Sequence, residues 1–457
     1  MHPLIGLLGT SAAAAAFSPD DIDGLRVWLR GDDLTGANAD PVASWADQSG
    51  NAYDAAQATG TKQPTKRTSV LNGHTVCRFD GGDCLQTGEI AYGSATALTV
   101  YCVGSCVSGT DRAFFESGAA TGSNNGTYIL YRPTSNKVSF YVRHTVDAER
   151  QSVATVAATN DFGLMCGIWN QGMLNHHEVS TYVDGDAAGA LNPTGNTGSP
   201  LTDAILNIGA RNNAASLFLN GDIAEIIIYT GAHTAIQRKR VEDYLAAKYA
   251  LTVRSITANI VFEGDSLTEA DRGTSPFVNS YPQQLAALLT DGIHFWNTGV
   301  SGQTLAQMDT DKATQIAPFY ASGIAKNIVV LWGGTNDMAQ GVGNQTAATA
   351  LSRLYALGDY YLSAGWQVVL LDCLPRSDAA AGAGFAAKRT TFNADFATNA
   401  AAHCTVPVRV SQISGIGADG DSDVTTNYDG DKVHLNATGH GLIAAAVETA
   451  LGTLGVT

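Results

Sequence analysis

The chain has 457 residues, with 42 acidic against 26 basic side chains, a formal charge of −16, 45% hydrophobic content and only 15% charged residues. That balance excludes a nucleic-acid binder, which must attract a polyanion, and a basic membrane-surface helix. Ordinary apolar content excludes a disordered chain, and the length predicts two or three domains at roughly 100–200 residues each.

Residues 4–17 form a short alanine-rich apolar stretch. It has the length of a signal-peptide core but no Lys or Arg before it, and it is too short to span a bilayer. A signal peptide and a retained N-terminal plug both stay open for residues 1–19. From about 25 to 218 the pattern is short alternating or apolar runs between turn residues, as in Leu25-Arg26-Val27-Trp28-Leu29 and Leu98-Thr99-Val100-Tyr101-Cys102-Val103. Such regular short strands predict a sandwich or jelly roll, with Ile223 to Tyr229 as its last strand. Thr234 and Gln237 then make a capping-box pattern, and Val241, Tyr244, Leu245 and Tyr249 follow at helical spacing. Beyond residue 256, strands at 259–263, 293–297, 327–332, 366–373 and 406–410 alternate with helices at 283–289, 347–362 and 442–451. This predicts a parallel sheet covered on both faces.

Parallel sheets carry functional groups just past the carboxyl ends of their strands. The first strand ends in Gly264-Asp265-Ser266-Leu267, the second in Asn297-Thr298-Gly299-Val300-Ser301-Gly302, and the third in Gly333-Gly334-Thr335-Asn336-Asp337. Asp431-Lys432-Val433-His434 precedes the last helix. Each piece alone fits a turn or cap; the conjunction in order is the signal. A serine hydroxyl needs a base within reach, imidazole supplies one, and a carboxylate on its other nitrogen fixes the tautomer. The oxyanion formed on acyl attack needs convergent N–H donors.

Over residues 256–457 these blocks resemble the SGNH hydrolases, also called the GDSL esterase family. The resemblance implies a three-layer flavodoxin-like α/β/α fold with a five-stranded parallel sheet. It also implies Ser266 as nucleophile, His434 as general base and Asp431 as its orienting carboxylate. The oxyanion hole would be the Ser266 backbone N–H, Gly302 and Asn336. The scheme calls for no cofactor and no metal.

The N-terminal half has its own resemblance, carried by Trp28-Leu29-Arg30, Trp45-Ala46-Asp47-Gln48-Ser49-Gly50, Arg78-Phe79-Asp80-Gly81 and the run from Asn220 to Tyr229. Over residues 20–250 it is similar to the laminin-G/concanavalin A-like modules of bacterial and phage proteins. This implies an all-β jelly roll of a class that often binds carbohydrate, without assigning any ligand residue, and a spacer or packing role stays open beside it.

Other features are read as structural. His176-His177-Glu178 lacks zinc-helix spacing, and Asp419, Asp421 and Asp423 start like a calcium loop but meet Val424 and Gly430 where Gly and Glu are needed. Asp429 competes with Asp431 as the histidine's partner, and spacing favours Asp431. His440 is expected to face solvent or cap the last helix, and Gly341-Val342-Gly343 to lie in a loop. The seven cysteines match no metal or redox pattern and are expected to be small buried side chains, with a Cys77–Cys84 bridge left open. The combined expectation is a secreted or virion-borne serine esterase removing O-acyl, foremost acetyl, groups from a polysaccharide. It would have no nucleic-acid partner and no transmembrane segment, and either a homo-oligomer or a virion assembly stays open. The alternatives are a lipase or thioesterase acting on longer acyl chains, and a non-catalytic glycan-binding adhesin or structural virion protein.

Overall fold

The computed structural model describes residues 17–107, 110–118, 127–132, 137–145, 148–155, 161–171, 179–187, 190–193, 200–211, 213–270, 279–289 and 292–457. The apolar stretch at 4–16 and His176-His177-Glu178 lie outside these residues.

The N-terminal half is a sandwich of an eight-stranded and a nine-stranded antiparallel sheet. Its organising strand is Asn220–Thr230, which pairs with Ala97–Cys106, His74–Asp80 and Leu25–Arg30. Ile223, Ile226 and Ile228 face the core between the sheets, with Trp45, Phe115 and Phe140. Ala224, Ile227 and Tyr229 face the other way and are equally buried. A strand covered on both sides needs no polar alternation, which is why Ile223 to Tyr229 reads as an apolar run broken only by Glu225, itself buried and bonded to Trp28, Lys248 and Tyr249.

Its outer cover is helix α1 (Ala235–Tyr249), which starts where the sequence predicts. The Thr234 hydroxyl accepts from the Gln237 backbone N–H, and the Gln237 side chain accepts from the Thr234 N–H. Val241, Leu245 and Tyr249 pack inward from α1.

The C-terminal half is an α/β domain. Its parallel strands are β1 (Ile256–Gly264), β2 (Gly292–Asn297), β3 (Lys326–Trp332), β4 (Gln367–Leu371) and β5 (Val406–Val408). They stand in the order β2-β1-β3-β4-β5, the flavodoxin-like arrangement. Short helices α2 (Ser266–Glu269) and α5 (Thr335–Met338) begin directly after β1 and β3. The longer helices are α3 (Tyr281–Leu288), α4 (Leu305–Gln315), α6 (Ala347–Ser363), α7 (Phe385–Asn399) and α8 (Ala437–Thr453). Ile260, Phe262 and Val330 pack with α3 and α8 on one face; Val261, Val329 and Leu331 pack with α4, α6 and α7 on the other.

Two readings change. Helix α8 begins at Ala437, five residues before the predicted start, because the Asn436 side chain accepts from the Thr438 and Gly439 N–H groups and caps it there. His440 consequently lies inside the helix, in phase with Ile443, Ala444 and Val447, and is buried rather than facing solvent. Burial, helped by the nearby His434, pushes its imidazole down to about 3. All seven cysteines are buried and free, so Cys77 and Cys84 are not bridged. The aspartate run forms a polar loop: Asp419 pairs with Arg389, Asp421 accepts from the Ala418 N–H and Asp423 pairs with Lys432.

The two halves share a buried apolar cluster, in which Tyr101, Tyr182 and Ile227 of the sandwich join Val261, Trp296 and Val329 of the α/β domain. Arg238 of α1 pins this junction. Its fully buried guanidinium pairs with Glu242 at 2.7 Å, covers the Tyr182 ring at 3.7 Å and donates to His294 Nδ1 of β2 at 3.2 Å. A buried charge is tolerated only when so partnered.

Glu263, the last residue but one of β1, is also fully buried and accepts from the Tyr361 hydroxyl at 2.7 Å. Burial pushes its carboxyl up to about 8, against the lowering effect of that hydrogen bond. Between its ordinary value of 4.5 and about 8 the folded chain keeps a proton that the unfolded chain has lost, so stability falls as pH rises through that window. Glu263→Gln cannot ionise, so its apparent Tm relative to wild type should climb between pH 5 and pH 8.5. Parallel melting curves across that range would contradict the assignment.

Candidate active site

The carboxyl edge of the sheet gathers the residues singled out from the sequence. Gly264 ends β1 at a crowded point, where a Cβ would come within 2.2 Å of Thr268 Oγ1 and 2.6 Å of the Trp332 carbonyl. The chain turns at once into α2, with Asp265 as its cap: the Asp265 side chain accepts from the Leu267 N–H at 3.0 Å. Ser266 is thereby fixed at the first position of α2, its residue 6% exposed.

His434 arrives from the segment before α8. The Asp429 N–H donates to the His434 carbonyl at 2.7 Å, and the N–H groups of Val433 and His434 both donate to Asp431 Oδ1 at 3.0 Å. This local turn aims the imidazole. Its Nε2 lies 2.8 Å from Ser266 Oγ and its Nδ1 lies 2.5 Å from Asp431 Oδ2. Partial burial works to raise the Asp431 carboxyl, but the hydrogen bonds from His434 and Val433 outweigh it and hold the group below the usual carboxylate range. An ionised Asp431 can only accept, so Nδ1 carries the proton and Nε2 presents a lone pair to the serine hydroxyl. The arrangement can take a proton from Ser266 and stabilise the resulting imidazolium. Asp431 is the carboxylate that meets Nδ1 of the ring.

Gly302 sits in the turn after β2 with φ +78° and open space where a side chain would point. Asn336 lies on α5. Its Nδ2 donates to the Gln303 carbonyl at 3.1 Å and toward Asp265 Oδ2 at 3.3 Å, while Arg376 Nη1 donates to its Oδ1 at 3.4 Å. Neither the Ser266 nor the Gly302 backbone N–H has a hydrogen-bond partner among the described residues. The Ser266 and Gly302 N–H groups are thus open donors at these two loops, while the Asn336 amide hydrogens are both engaged.

Four neighbours were not singled out in the sequence. Asp265 is fully buried, and desolvation pushes its carboxyl up to about 7 against the Leu267 N–H and Arg376. Asn297 ties the β2 and β1 loops, donating to the Thr268 carbonyl at 2.8 Å and accepting from the Gly299 N–H at 3.0 Å. Asp337 accepts from the Leu305 N–H at 2.9 Å and so fixes the start of α4. Arg376, held by two bonds to Asp378 at 2.7 and 2.9 Å, orients the Asn336 amide. It follows the end of β4, so extending the strand-end reading to the fourth strand would have found it. Among the described residues no cluster of three or more His, Cys, Asp or Glu side chains is placed to hold a metal ion.

Residues 262–442 match the GDSL-like Lipase/Acylhydrolase family. The α/β domain belongs to that family. Residues 80–237 match the Concanavalin A-like lectin/glucanases superfamily, within the sandwich that precedes the GDSL-like domain. No curated protein matches the chain. Among solved structures, a GDSL-like lipase from Bacteroides thetaiotaomicron is 19% identical, covering 47% of this chain and 97% of its own, with a TM-score of 0.35. A catalytic mutant of an acetylxylan esterase from Geobacillus stearothermophilus is 15% identical, covering 43% and 95%, with a TM-score of 0.34. A carbohydrate-binding module of a Ruminococcus gnavus sialidase bound to sialyllactose is 12% identical, covering 34% and 83%, with a TM-score of 0.27.

The amide orientation at the centre of the GDSL-like site is testable. Asn336→Asp would set a carboxylate oxygen against the Gln303 carbonyl and Asp265, whereas Asn336→Ala only removes a donor. At pH 8 the Asp variant should be the less stable of the two, by about 1–3 kcal/mol in chemical denaturation. Equal stabilities would show that Nδ2 does not face those two acceptors.

Proposed function

We propose that the protein is a serine esterase that removes O-acyl groups, foremost acetyl, from a polysaccharide. The observation that carries this reading is the continuous hydrogen-bonded line from Ser266 Oγ through His434 to Asp431. In the proposed scheme His434 Nε2 takes the Ser266 proton as the hydroxyl oxygen attacks the ester carbonyl. The Ser266 and Gly302 N–H groups would receive the negative charge on the carbonyl oxygen, with the Asn336 amide exchanging its longer bond toward Asp265 for that oxygen, each such donor being worth on the order of 2.7–4 kcal/mol in the transition state. His434 then gives the proton to the departing sugar oxygen as the C–O bond breaks, so the sugar leaves with a free hydroxyl. Water, activated by the same imidazole, releases the acyl group from Ser266.

Membership of an acylhydrolase family supports the reaction class, and the lectin-like match of the sandwich supports a glycan substrate. The sandwich would recruit or position the polymer near Ser266, acting as an effective concentration rather than as part of the chemistry. Such a substrate suits an extracellular or virion-borne enzyme. No helix among the described residues is long and apolar enough to cross a membrane.

Activity on p-nitrophenyl esters should be highest with acetate and fall steadily to palmitate, and the chain should release acetate from an acetylated polysaccharide. Ser266→Ala should lower kcat at least about a thousand-fold without changing the fold. Asp431→Asn should lower kcat far more than it raises KM, because it disturbs the imidazole and not substrate contacts. Near-wild-type activity in Ser266→Ala would overturn the mechanism, and preference for palmitate would overturn the substrate.

A further inference from the structure

Three consecutive residues after β4, Arg376-Ser377-Asp378, reach both halves of the site from one stretch of backbone. On the Asn336 side, the Arg376 guanidinium is gripped by Asp378, from Nε at 2.7 Å and from Nη2 at 2.9 Å. Partial burial works to raise the Asp378 carboxyl, but the hydrogen bonds and charge of Arg376 outweigh it and hold the group below the usual carboxylate range. Asp378 Oδ2 also accepts from the Ala380 N–H at 3.1 Å, which anchors the pair to its own loop. The remaining Nη1 then donates to Asn336 Oδ1 at 3.4 Å.

On the His434 side, the Ser377 N–H donates to the Lys432 carbonyl at 3.2 Å. The Ser377 hydroxyl and Lys432 Nζ both donate to Asp423 Oδ1, each at 2.8 Å. Lys432 follows Asp431 directly and has φ +64°, a left-handed conformation that a lysine rarely adopts. The turn presenting Asp431 and His434 therefore passes through a strained residue, held from outside at its carbonyl and at its ammonium.

Both holds bear on the reaction. A guanidinium can only donate, so Arg376 keeps the oxygen of Asn336 on its own side and stops the amide from turning that oxygen toward the developing oxyanion. Since residues 376 and 377 are adjacent, the same backbone fixes the amide relative to the imidazole. Acyl transfer needs base and donors in register, and a misplacement of about 1 Å costs on the order of a hundredfold.

We propose that Arg376-Ser377-Asp378 is a positioning segment for the esterase reaction, setting the Asn336 amide and the Asp431–His434 turn at a fixed separation and acting only through them. The inference rests on the proposed serine-esterase chemistry.

The test is kcat and KM of the full chain on p-nitrophenyl acetate. Arg376→Met removes the hold on Asn336; Asp378→Asn loosens it with the guanidinium still present, and carries the same test should the first variant not fold. Each should lower kcat about tenfold or more and leave KM within about threefold. In an Asn336→Ala background the further loss should be under about twofold, because the amide they orient is gone, whereas a merely structural role would cost as much there as in wild type. Ser377→Ala should lower kcat about fivefold, and under about twofold in a Lys432→Gly background, since glycine takes positive φ without being held. Unchanged kcat in Arg376→Met and Asp378→Asn, equal losses with and without Asn336, or a Ser377→Ala loss undiminished by Lys432→Gly would each overturn the positioning role while the esterase reading stands. A wild-type chain that does not hydrolyse the ester would overturn that reading, and this role with it.

Discussion

The contact on which the site depends is the one between Ser266 Oγ and His434 Nε2, two atoms 2.8 Å apart and 168 residues apart in the chain. A serine hydroxyl is a weak nucleophile unless a base waits beside it, and no local structure can bring these two together. The parallel sheet does it. Every strand of such a sheet ends at the same edge, so loops distant in sequence converge there. Ser266 follows β1, Gly302 follows β2 and Asn336 follows β3, while the 428–436 segment folds back beside them through the Tyr428 and Leu435 bridge.

Convergence alone would leave the side chains free to rotate, and a network of hydrogen-bonded polar groups prevents that. Asp431 is clamped by two backbone N–H groups before it receives the imidazole. Arg376 holds the oxygen of Asn336, so its NH2 is directed to the other side. Asn297 and Asp337 tie the neighbouring loops to each other and to α4. The expense of burying these groups is visible in Asp265 and Glu263, whose carboxyls are pushed upward by desolvation. The same logic recurs at the domain junction, where Arg238 is buried only because Glu242, Tyr182 and His294 surround it.

Much of this was legible in the sequence, for identifiable reasons. Apolar strands alternating with helices announce a parallel sheet, and strand ends are then the positions to inspect; the blocks holding Ser266, Gly302 and Asn336 stand there, His434 precedes the last helix, and their roles came from the resemblance to the SGNH hydrolases. The β-sandwich followed from short runs and turn residues. What stayed hidden needed partners in space. Arg238 and Glu242 drew no reading of their own, because nothing in the sequence shows the second domain closing over them. His440 read as facing solvent or capping the last helix because its burial depends on where α8 starts, and that is set by the Asn436 cap. Arg376 was passed over because its role is to hold the amide of another residue 40 positions away.

The central claim, that Ser266 is an activated nucleophile, is tested most directly by a fluorophosphonate ester, which reacts covalently with a serine oxygen that has a base beside it. After brief treatment of the full chain, intact mass and peptide mapping should show one adduct, located on Ser266. Labelling should be abolished in Ser266→Ala and strongly slowed in His434→Ala. An unlabelled chain, an adduct on a different serine, or labelling of Ser266 at an undiminished rate in His434→Ala would contradict the account.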